Sequence, residues 1–401
     1  MSDQPIKSTE ARQPESKPKA RGNSSLRDAL IVPALAVFTG LVIGAIAIAA
    51  SGENVFTAYG ALFTGSFGSL GQIIEGLRVY FSTGESRELL RGIYPFTESL
   101  VATTPYIFAA LSVALGFRCG LFNIGAEGQV LMGALCSAFV GYSITGLPAF
   151  IHLPLAILGG ALGGAVWGMI PGYLKARFGA HEVVNTIMMN WIAFKLSDWL
   201  LNGPMKASGF RPVTPNIEES AELPRFFADP LRLNWGFVLA LVVAWLVYWL
   251  LFKTTWGFEI RSVGANPNAA KYAGMNVTRN FVMVMSLAGA LAGLAGASQV
   301  LGVDHWVGQG FSAGYGFDSI ALALLGKSHP FGVVLAALLF GFLRSGATRM
   351  QSMAGIPIDI ISIIQGLVVI FIAAPAIIRW IYRIRIPTAA EQTVLTRGWG
   401  K

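Results

Sequence analysis

The chain has 401 residues, of which 54% are hydrophobic and 12% are charged, with a formal net charge of +8. Soluble proteins carry about 25% charged residues, so this composition and a mean hydropathy of +0.59 exclude an ordinary soluble domain and indicate a membrane protein with several spans. The positive charges cluster at the ends of apolar runs, as expected of cytoplasmic loops, and we expect no nucleic-acid partner. Two cysteines, Cys119 and Cys136, give neither a disulfide framework nor a metal-site spacing.

The fold class predicted is an all-α polytopic membrane protein in which residues 27–385 form the membrane domain. Residues 1–26 are polar and rich in Ser, Pro, Lys and Arg, so we expect a disordered cytoplasmic tail there, and a second cytoplasmic tail at 386–401. A bilayer core about 30 Å thick needs roughly 20 apolar residues per helix. About ten transmembrane helices are predicted, at 28–50, 99–117, 125–142, 153–174, 184–201, 235–252, 281–303, 317–325, 331–342 and 358–378.

The loops between these spans divide by charge. The positive-inside rule places the basic stretch 253–279, both tails and the cations near 118 and 175 on the cytoplasmic side, provided that the short eighth span counts as a crossing or a buried half-helix. Residues 203–233 then form an extracytoplasmic loop. Residues 51–91 are amphipathic, and we expect them to lie on or near the outer membrane surface.

Small residues recur at helical spacing in two runs, GGALGGAVWG at 159–168 and AGALAGLAGA at 288–297. Such runs let helix backbones approach closely in a bilayer, so both are predicted to be tight helix–helix contacts. Each half of the chain holds one of these runs. That repetition hints at a duplicated architecture of two inverted halves.

A short polar helix interrupts the apolar pattern within EIRSVGANPNAAKYAGMNVTRN, residues 259–280. Asn266 can cap its first turn, Pro267 suits the first helical position and Gly274 suits the left-handed exit. One interpretation is an ordinary surface helix. The other is a cytoplasmic docking helix, on which Glu259 and Arg261 supply charge at the rim while Ala270 and Tyr272 belong to a small contact face.

Polar residues within apolar spans are candidates for a solute pathway, because burying them is costly unless they serve a function. GLFNIGAEGQVLMGAL, residues 120–135, contains Asn123, Glu127 and Gln129, and its glycines permit a broken helix. The alternative is that Glu127 stabilises the N-terminus of its own helix. The two interpretations stay open.

Two further stretches extend this set of candidates. HEVVNTIMMNWIAFKLSDW, residues 181–199, places Asn185 and Asn190 on the fifth span, and a Lys195–Asp198 ion pair is predicted near its far end. GYGFDSIALALLGKSHPFG, residues 314–332, predicts a broken helix that begins near Phe317 and Asp318. Its GKS lacks the preceding glycine of a phosphate-binding loop, since residue 321 is alanine, so ATP binding in this chain is rejected.

These four stretches, taken in order, resemble the membrane permease subunits of bacterial ABC importers, the superfamily of branched-chain amino acid, ribose and nucleoside permeases. The likeness extends over about residues 100–378. FNIGAEGQ together with GANPNAAKYAG, which contains Gly264, is most similar to the branch for nucleosides or simple sugars. Within that resemblance the polar helix corresponds to the coupling helix, received by a groove of an ATPase.

The resemblance implies a set of partners and a location. These are a cytosolic ATP-binding subunit that carries ATP and Mg²⁺, a second permease subunit, identical or related, an extracytoplasmic solute-binding protein, and the lipid bilayer of the bacterial cytoplasmic membrane. This chain would then be a transport subunit, not an enzyme, with no cofactor, metal or catalytic residue of its own and with both termini in the cytoplasm. The expected solute is small, neutral and polar, with nucleosides first. Ribose-like sugars, or ion-coupled secondary transport, are the alternatives.

Overall fold

The computed structural model describes residues 25–312 and 314–383, and this part of the chain folds into α-helices without a β-strand. The predicted tails therefore lie almost wholly outside the described residues. In chain order the helices are α1 Ser25–Ala50, α2 Val55–Phe67, α3 Leu70–Thr83, α4 Arg87–Arg118, α5 Ala126–Ser143, α6 Ala149–Phe178, α7 Glu182–Asn202, α8 Trp235–Lys253, α9 Thr255–Ala265, α10 Pro267–Tyr272, α11 Val277–Gln299, α12 Tyr315–Leu325, α13 Pro330–Ala354, α14 Ile358–Ala373 and α15 Pro375–Ile381.

Five of the described helices are long and apolar enough to cross a bilayer on their own. They are α4, α6, α8, α13 and α11, the last continued by a π-helical segment at Val300–Asp304. The all-helical membrane architecture is thus confirmed, whereas the count of ten crossings stays a prediction.

The bundle has two ends that can be recognised from their contacts. At one end, which we call the α10 end, the backbone of Gly264 lies against that of Arg118, and Asn280 donates to Glu259. At the other, the loop end, residues 203–234 cover the bundle, and the amide of Leu223 donates to the carbonyl of Leu301 over 2.8 Å. Helix α4 runs from the loop end to the α10 end, and α11 runs in the opposite direction.

Helix α4 forms the centre of the bundle, with most of its side chains buried. Two prolines, Pro95 and Pro105, lie inside it without ending it. The hydroxyls of Ser99 and Thr103 donate to carbonyls one turn earlier, so these polar side chains are satisfied locally inside the apolar core.

The two glycine-rich runs pack against each other, in what we call the α6–α11 seam. A Cβ atom added at Gly164 would collide with the backbone of Gly289 and lie 2.8 Å from Gly293. Gly133 of α5 also lies against Gly293. The prediction of two tight helix contacts is confirmed, and the two runs prove to be two sides of one contact.

The segment predicted to lie on the outer membrane surface instead forms α2 and α3, and α2 enters the bundle. The hydroxyl of Ser66 donates to the carbonyl of Phe342 on α13 over 2.7 Å, and that of Ser99 donates to Ser66 over 2.9 Å. Gly76 of α3 lies against the backbone of Leu89. The expectation was wrong for α2 because its small residues, which weaken the apolar pattern, allow close packing on α13.

Candidate functional site

The connection between α4 and α5 is held by a pair of buried amide side chains. Asn123 Nδ2 donates to Gln129 Oε1 over 2.9 Å, and Gln129 Nε2 donates back to Asn123 Oδ1 over 3.1 Å. The same Asn123 oxygen accepts from the backbone of Gly125. Both side chains are almost fully buried, so their polar atoms stabilise the bend between the two helices.

Asn190 ties α7 to the same bend. Its Oδ1 accepts from the amide of Gly128 over 2.8 Å, and its Nδ2 donates to the carbonyl of Ile124 over 2.9 Å. Asn185, one turn earlier on α7, is half-buried, and its Nδ2 finds no partner among the described residues. Asn190 thus has a structural contact that Asn185 lacks.

Glu127 connects the first turn of α5 to the first turn of α12. Its carboxylate accepts from the amide of Gly314 over 2.9 Å and from the amide of Gly316 over 2.6 Å. Gly316 lies directly against the Glu127 backbone, where a Cβ would collide. A carboxylate that binds free amides at a helix N-terminus satisfies them and complements the helix dipole. Glu127 therefore caps α12, a helix 187 residues further along the chain, rather than its own.

Four side chains from α4, α12 and α13 meet beside this cap, and we call them the charged–aromatic cluster: Tyr106, Tyr315, Asp318 and Arg344. The Tyr106 hydroxyl donates to Asp318 Oδ2 over 2.9 Å, and Arg344 Nη1 lies 2.5 Å from that hydroxyl and 3.7 Å from Asp318 Oδ2. The Arg344 guanidinium covers the rings of Tyr315 and Tyr106, with centroid distances of 5.0 and 5.7 Å.

The charged members of this cluster are partly accessible although the cluster lies deep in the bundle. The side chains of Asp318 and Arg344 are 40% and 35% exposed, whereas Tyr106 and Tyr315 are buried. Phe317, next to Asp318, is exposed. The cluster therefore presents one carboxylate and one guanidinium beside aromatic rings. The guanidinium can donate hydrogen bonds to a polar ring, the carboxylate can accept them, and the aromatic rings can stack on it.

An open cleft of about 610 Å³, lined by both polar and apolar groups, adjoins Arg344 between α2, α4 and α13. A bidentate ion pair between Arg232 and Glu98 lies on its wall. Tyr94, Ser345 and Thr348 add hydroxyl groups to the lining. The volume falls within the range of small-molecule sites, about 300–1,000 Å³.

The polar helix at the α10 end forms as predicted. Asn266 Oδ1 accepts from the amides of Asn268 and Ala269, over 3.0 and 3.1 Å, Pro267 opens α10, and Gly274 follows it at φ +85°. Tyr272 is 97% exposed. These caps explain why a segment of only six residues forms a stable helix here.

Of the residues expected to form a contact face here, one is buried, while Glu259 and Arg261 are half-exposed and have partners within the chain. Ala270 is 4% exposed and packs into the core, because the face of a two-turn helix that carries it is the one turned to α9 and α11. Glu259 accepts from Asn280 over 3.0 Å, and Arg261 lies over the Phe252 ring at 5.3 Å. Tyr272 and Asn266 are therefore exposed at this end, while Ala270 anchors the helix, and docking of a partner here stays a prediction.

Six of the seven predicted pathway residues fall into two groups, and Asn185, half-buried without a partner for its Nδ2 among the described residues, belongs to neither. Asn123, Gln129 and Asn190 hold the α4–α5 bend, and Glu127 joins that bend to α12, whereas Phe317 and Asp318 are accessible; their role in a pathway stays a prediction. Tyr106 and Arg344 were not among the candidates. An arginine within the apolar run of α13 was the available signal, since an ionisable residue in a span marks a candidate site.

With the geometry established, comparison with known proteins places the chain. Residues 96–373 match the family described as "Branched-chain amino acid transport system / permease component". The chain belongs to this family. All the helices that build the bend, the α12 cap and the charged–aromatic cluster lie within or overlap the matched region.

Relatives in this family cover nearly the whole chain. It is 40% identical to the guanosine ABC transporter permease protein NupP of Bacillus subtilis over 88% of this chain and 95% of that protein. It is 33% identical to the glucose ABC transporter permease protein TsgB13 of Haloferax volcanii (85% and 86%) and 32% identical to the nucleoside ABC transporter permease protein NupB of Lactococcus lactis (90% and 94%). No solved structure gives a significant match.

Proposed function

We propose that this chain is the membrane-spanning permease subunit of an ATP-driven importer that carries nucleosides across the cytoplasmic membrane. The observation that carries the proposal is the match to the guanosine permease NupP, which extends over 95% of that protein. The charged–aromatic cluster agrees with it, because stacking surfaces and hydrogen-bonding groups without a large uncompensated charge suit a neutral nucleoside.

The α10 end faces the cytoplasm in this proposal. Lys175, Arg177, Lys253 and Arg279 lie at that end, and the glutamates at positions 218, 219 and 222 lie in the covering segment of the loop end. Cations concentrate on the cytoplasmic side of membrane proteins. Both termini then lie in the cytoplasm.

Ten crossings arranged as two inverted halves account best for the packing. Helix α4 packs on α12 and α13, and α11 packs on α5 and α6, so α4–α7 and α11–α14 correspond element by element. Because α4 and α11 run in opposite directions, the two sets are inverted. With α1 and α8 the crossings number ten, with α12 a short one, and α2 and α3 dip in from the loop end.

ATP hydrolysis takes place on a separate ATP-binding subunit, which holds ATP and Mg²⁺ and receives α9 and α10. Tyr272 is the exposed aromatic side chain at the tip of this element, and buried aromatic anchors commonly dominate such contacts. A second permease subunit and an extracytoplasmic solute-binding protein complete the importer.

A sugar is the second candidate solute. The glucose permease TsgB13 is 33% identical over 85% of this chain, and the nucleoside permease NupB is 32% identical over 90% of it, so these two matches are about equal. The cleft hydroxyls beside Arg344 suit a ribose as well as a hexose, so transport must separate the two.

The decisive experiment is uptake into proteoliposomes that contain this chain with its ATP-binding subunit, second permease and solute-binding protein. We expect ATP-dependent accumulation of labelled guanosine and little glucose. Tyr272→Ala should reduce uptake severalfold, whereas Tyr80→Ala, on the exposed face of α3, should not. Glucose uptake without nucleoside uptake, or ion-driven uptake by this chain alone, would contradict the proposal.

A further inference from the structure

Asp318 and Arg344 are a half-exposed acceptor and donor placed side by side on aromatic rings, 3.7 Å apart, and Arg344 also lines the open cleft. We propose that this pair recognises the base of the nucleoside by its lactam edge, a ring N–H next to a carbonyl oxygen. The inference rests on the proposed function and goes beyond it, since it ranks the nucleosides that the permease accepts.

Asp318 supplies the acceptor side of this recognition. Its Oδ2 accepts from the Tyr106 hydroxyl over 2.9 Å, which fixes the carboxylate in place. Within the described part of the chain, Oδ1 receives no hydrogen bond. An ionised carboxylate accepts but cannot donate, so Oδ1 selects a donor from the base.

Arg344 supplies the donor side. Its guanidinium lies over Tyr315 and Tyr106 and is linked to the Tyr106 hydroxyl over 2.5 Å. A guanidinium carries five N–H donors in a fixed planar fork and no acceptor. It therefore selects an acceptor from the base, directly beside the point at which Asp318 selects a donor.

The two selections together divide the nucleobases into two classes. Guanine, hypoxanthine and uracil place a ring N–H beside a carbonyl oxygen, which matches carboxylate and guanidinium in order. Adenine and cytosine place an unprotonated ring nitrogen beside an amino group, so both positions would be mismatched. Guanine also carries a 2-amino group beside its N1–H, which gives the carboxylate a second donor. The expected order is guanosine first, then inosine and uridine, then adenosine and cytidine.

Space and further contacts are available next to the pair. The cleft of about 610 Å³ includes Arg344 in its wall, together with the hydroxyls of Tyr94, Ser345 and Thr348. Ribose carries three hydroxyl groups, and these side chains are partners of the right kind for them. Phe317, exposed beside Asp318, can stack on the base.

The test is the ratio of guanosine to adenosine uptake by the complete reconstituted importer. Asp318→Asn replaces a carboxylate with a carboxamide that can donate to adenine N1 and accept from its 6-amino group. We expect the ratio to fall by about fivefold or more, since a matched pair of hydrogen bonds to a base edge discriminates by about 1–3 kcal/mol. The control Asp198→Asn, at the exposed Lys195–Asp198 pair, should leave the ratio unchanged.

The solute-binding protein is the same in both assays, so a change in the ratio reports on the permease. If the wild-type importer accumulates no nucleoside, the proposed function fails. If it accumulates nucleosides and Asp318→Asn leaves the ratio at the wild-type value, only the present inference fails.

A second measurement covers the case in which Asp318→Asn does not assemble. The purified wild-type permeases with their ATPase, without the solute-binding protein, should be stabilised against heat by guanosine at millimolar concentration. 1-Methylguanosine, whose methyl group removes the ring N–H, and adenosine should stabilise them less. Equal stabilisation by the three nucleosides, or by none of them, would overturn the inference.

Discussion

The α6–α11 seam and the charged–aromatic cluster lie in one bundle, but their helices are held together by opposite means. In the seam, Gly164 and Gly289 bring two backbones into direct contact, and close packing of small residues supplies the attraction. In the cluster, α4, α12 and α13 meet through long polar side chains. The seam therefore leaves no room for a larger side chain, whereas the cluster keeps two charged groups accessible.

Filling the seam should give the largest effect. Gly164→Leu places a side chain where the backbones of Gly289 and Gly293 already lie. Overpacking typically costs 1–3 kcal/mol, and backbone neighbours cannot rotate away, so we expect a loss of about 3 kcal/mol or more in the free energy of unfolding. Unfolding in detergent by SDS titration measures it.

Gly60→Leu is the matched control for that substitution. Gly60 is also helical, on α2, but no atom lies within 4 Å of an added Cβ. Its unfolding curve should overlay that of the wild type. Equal stability of the Gly164 and Gly60 variants would show that the seam is not the rigid contact described here.

Removing the α12 cap should give the next largest effect, on the polar side of the comparison. Glu127→Ala leaves the amides of Gly314 and Gly316 without their acceptor. A buried unsatisfied donor costs about 1–3 kcal/mol, so we expect a loss of about 2–4 kcal/mol and faster proteolysis near 305–314. Glu127→Gln keeps one acceptor oxygen and should lose less than half as much; a larger loss for Gln than for Ala would argue against capping.

Tyr106→Phe isolates the contribution of one polar contact in the cluster, because it removes one hydroxyl and keeps the ring. The donor to Asp318 and the partner of Arg344 disappear together, and we expect a loss of about 1–2 kcal/mol in the free energy of unfolding. Tyr80→Phe, on the exposed face of α3, is the control with the same chemical change. A Tyr106 variant as stable as this control would show that the Tyr106 hydroxyl does not contribute to stability.

The smallest effect belongs to the Lys195–Asp198 pair at the edge of α7. Its atoms are 3.9 Å apart, and the two side chains are 79% and 45% exposed. Exposed pairs contribute about 0–1 kcal/mol, so Lys195→Ala should change the free energy of unfolding by less than about 0.5 kcal/mol. A change as large as that of Tyr106→Phe would show that peripheral charge matters as much as the cluster.

Much of the fold could be predicted because most of the main helices have an apolar run or capping residues in their own sequence. The apolar runs placed α6, α8 and α11 close to their observed positions, and Asn266 and Gly274 placed α10. For α4 the predicted span, 99–117, gave the C-terminal end but missed the first three turns, since the helix begins at Arg87. Helices α2 and α3 could not be predicted in the same way, because a short helix of small and mixed residues is stabilised by packing on its neighbours rather than by its own pattern.

The candidate site was predictable only in part. Asp318 could be identified as a charge at the start of a short span, but its partners lie on helices 212 and 26 residues away in sequence. Glu127 was noted too, yet nothing local shows that its carboxylate binds amides near residue 315. Local residue patterns report propensities, whereas these contacts depend on how distant helices cross.

Arg118 joins the last turn of α4 to two other segments. Its carbonyl group touches Gly264, next to α10, while its side chain donates to the carbonyls of Ser328 over 2.8 Å and Lys327 over 3.2 Å. Both of those residues have left-handed backbone conformations, at φ 49° and 53°, and they form the sharp corner between α12 and α13. Arg118 therefore links the segment beside α10 to the C-terminal end of α12, the short helix that carries Asp318 in its first turn.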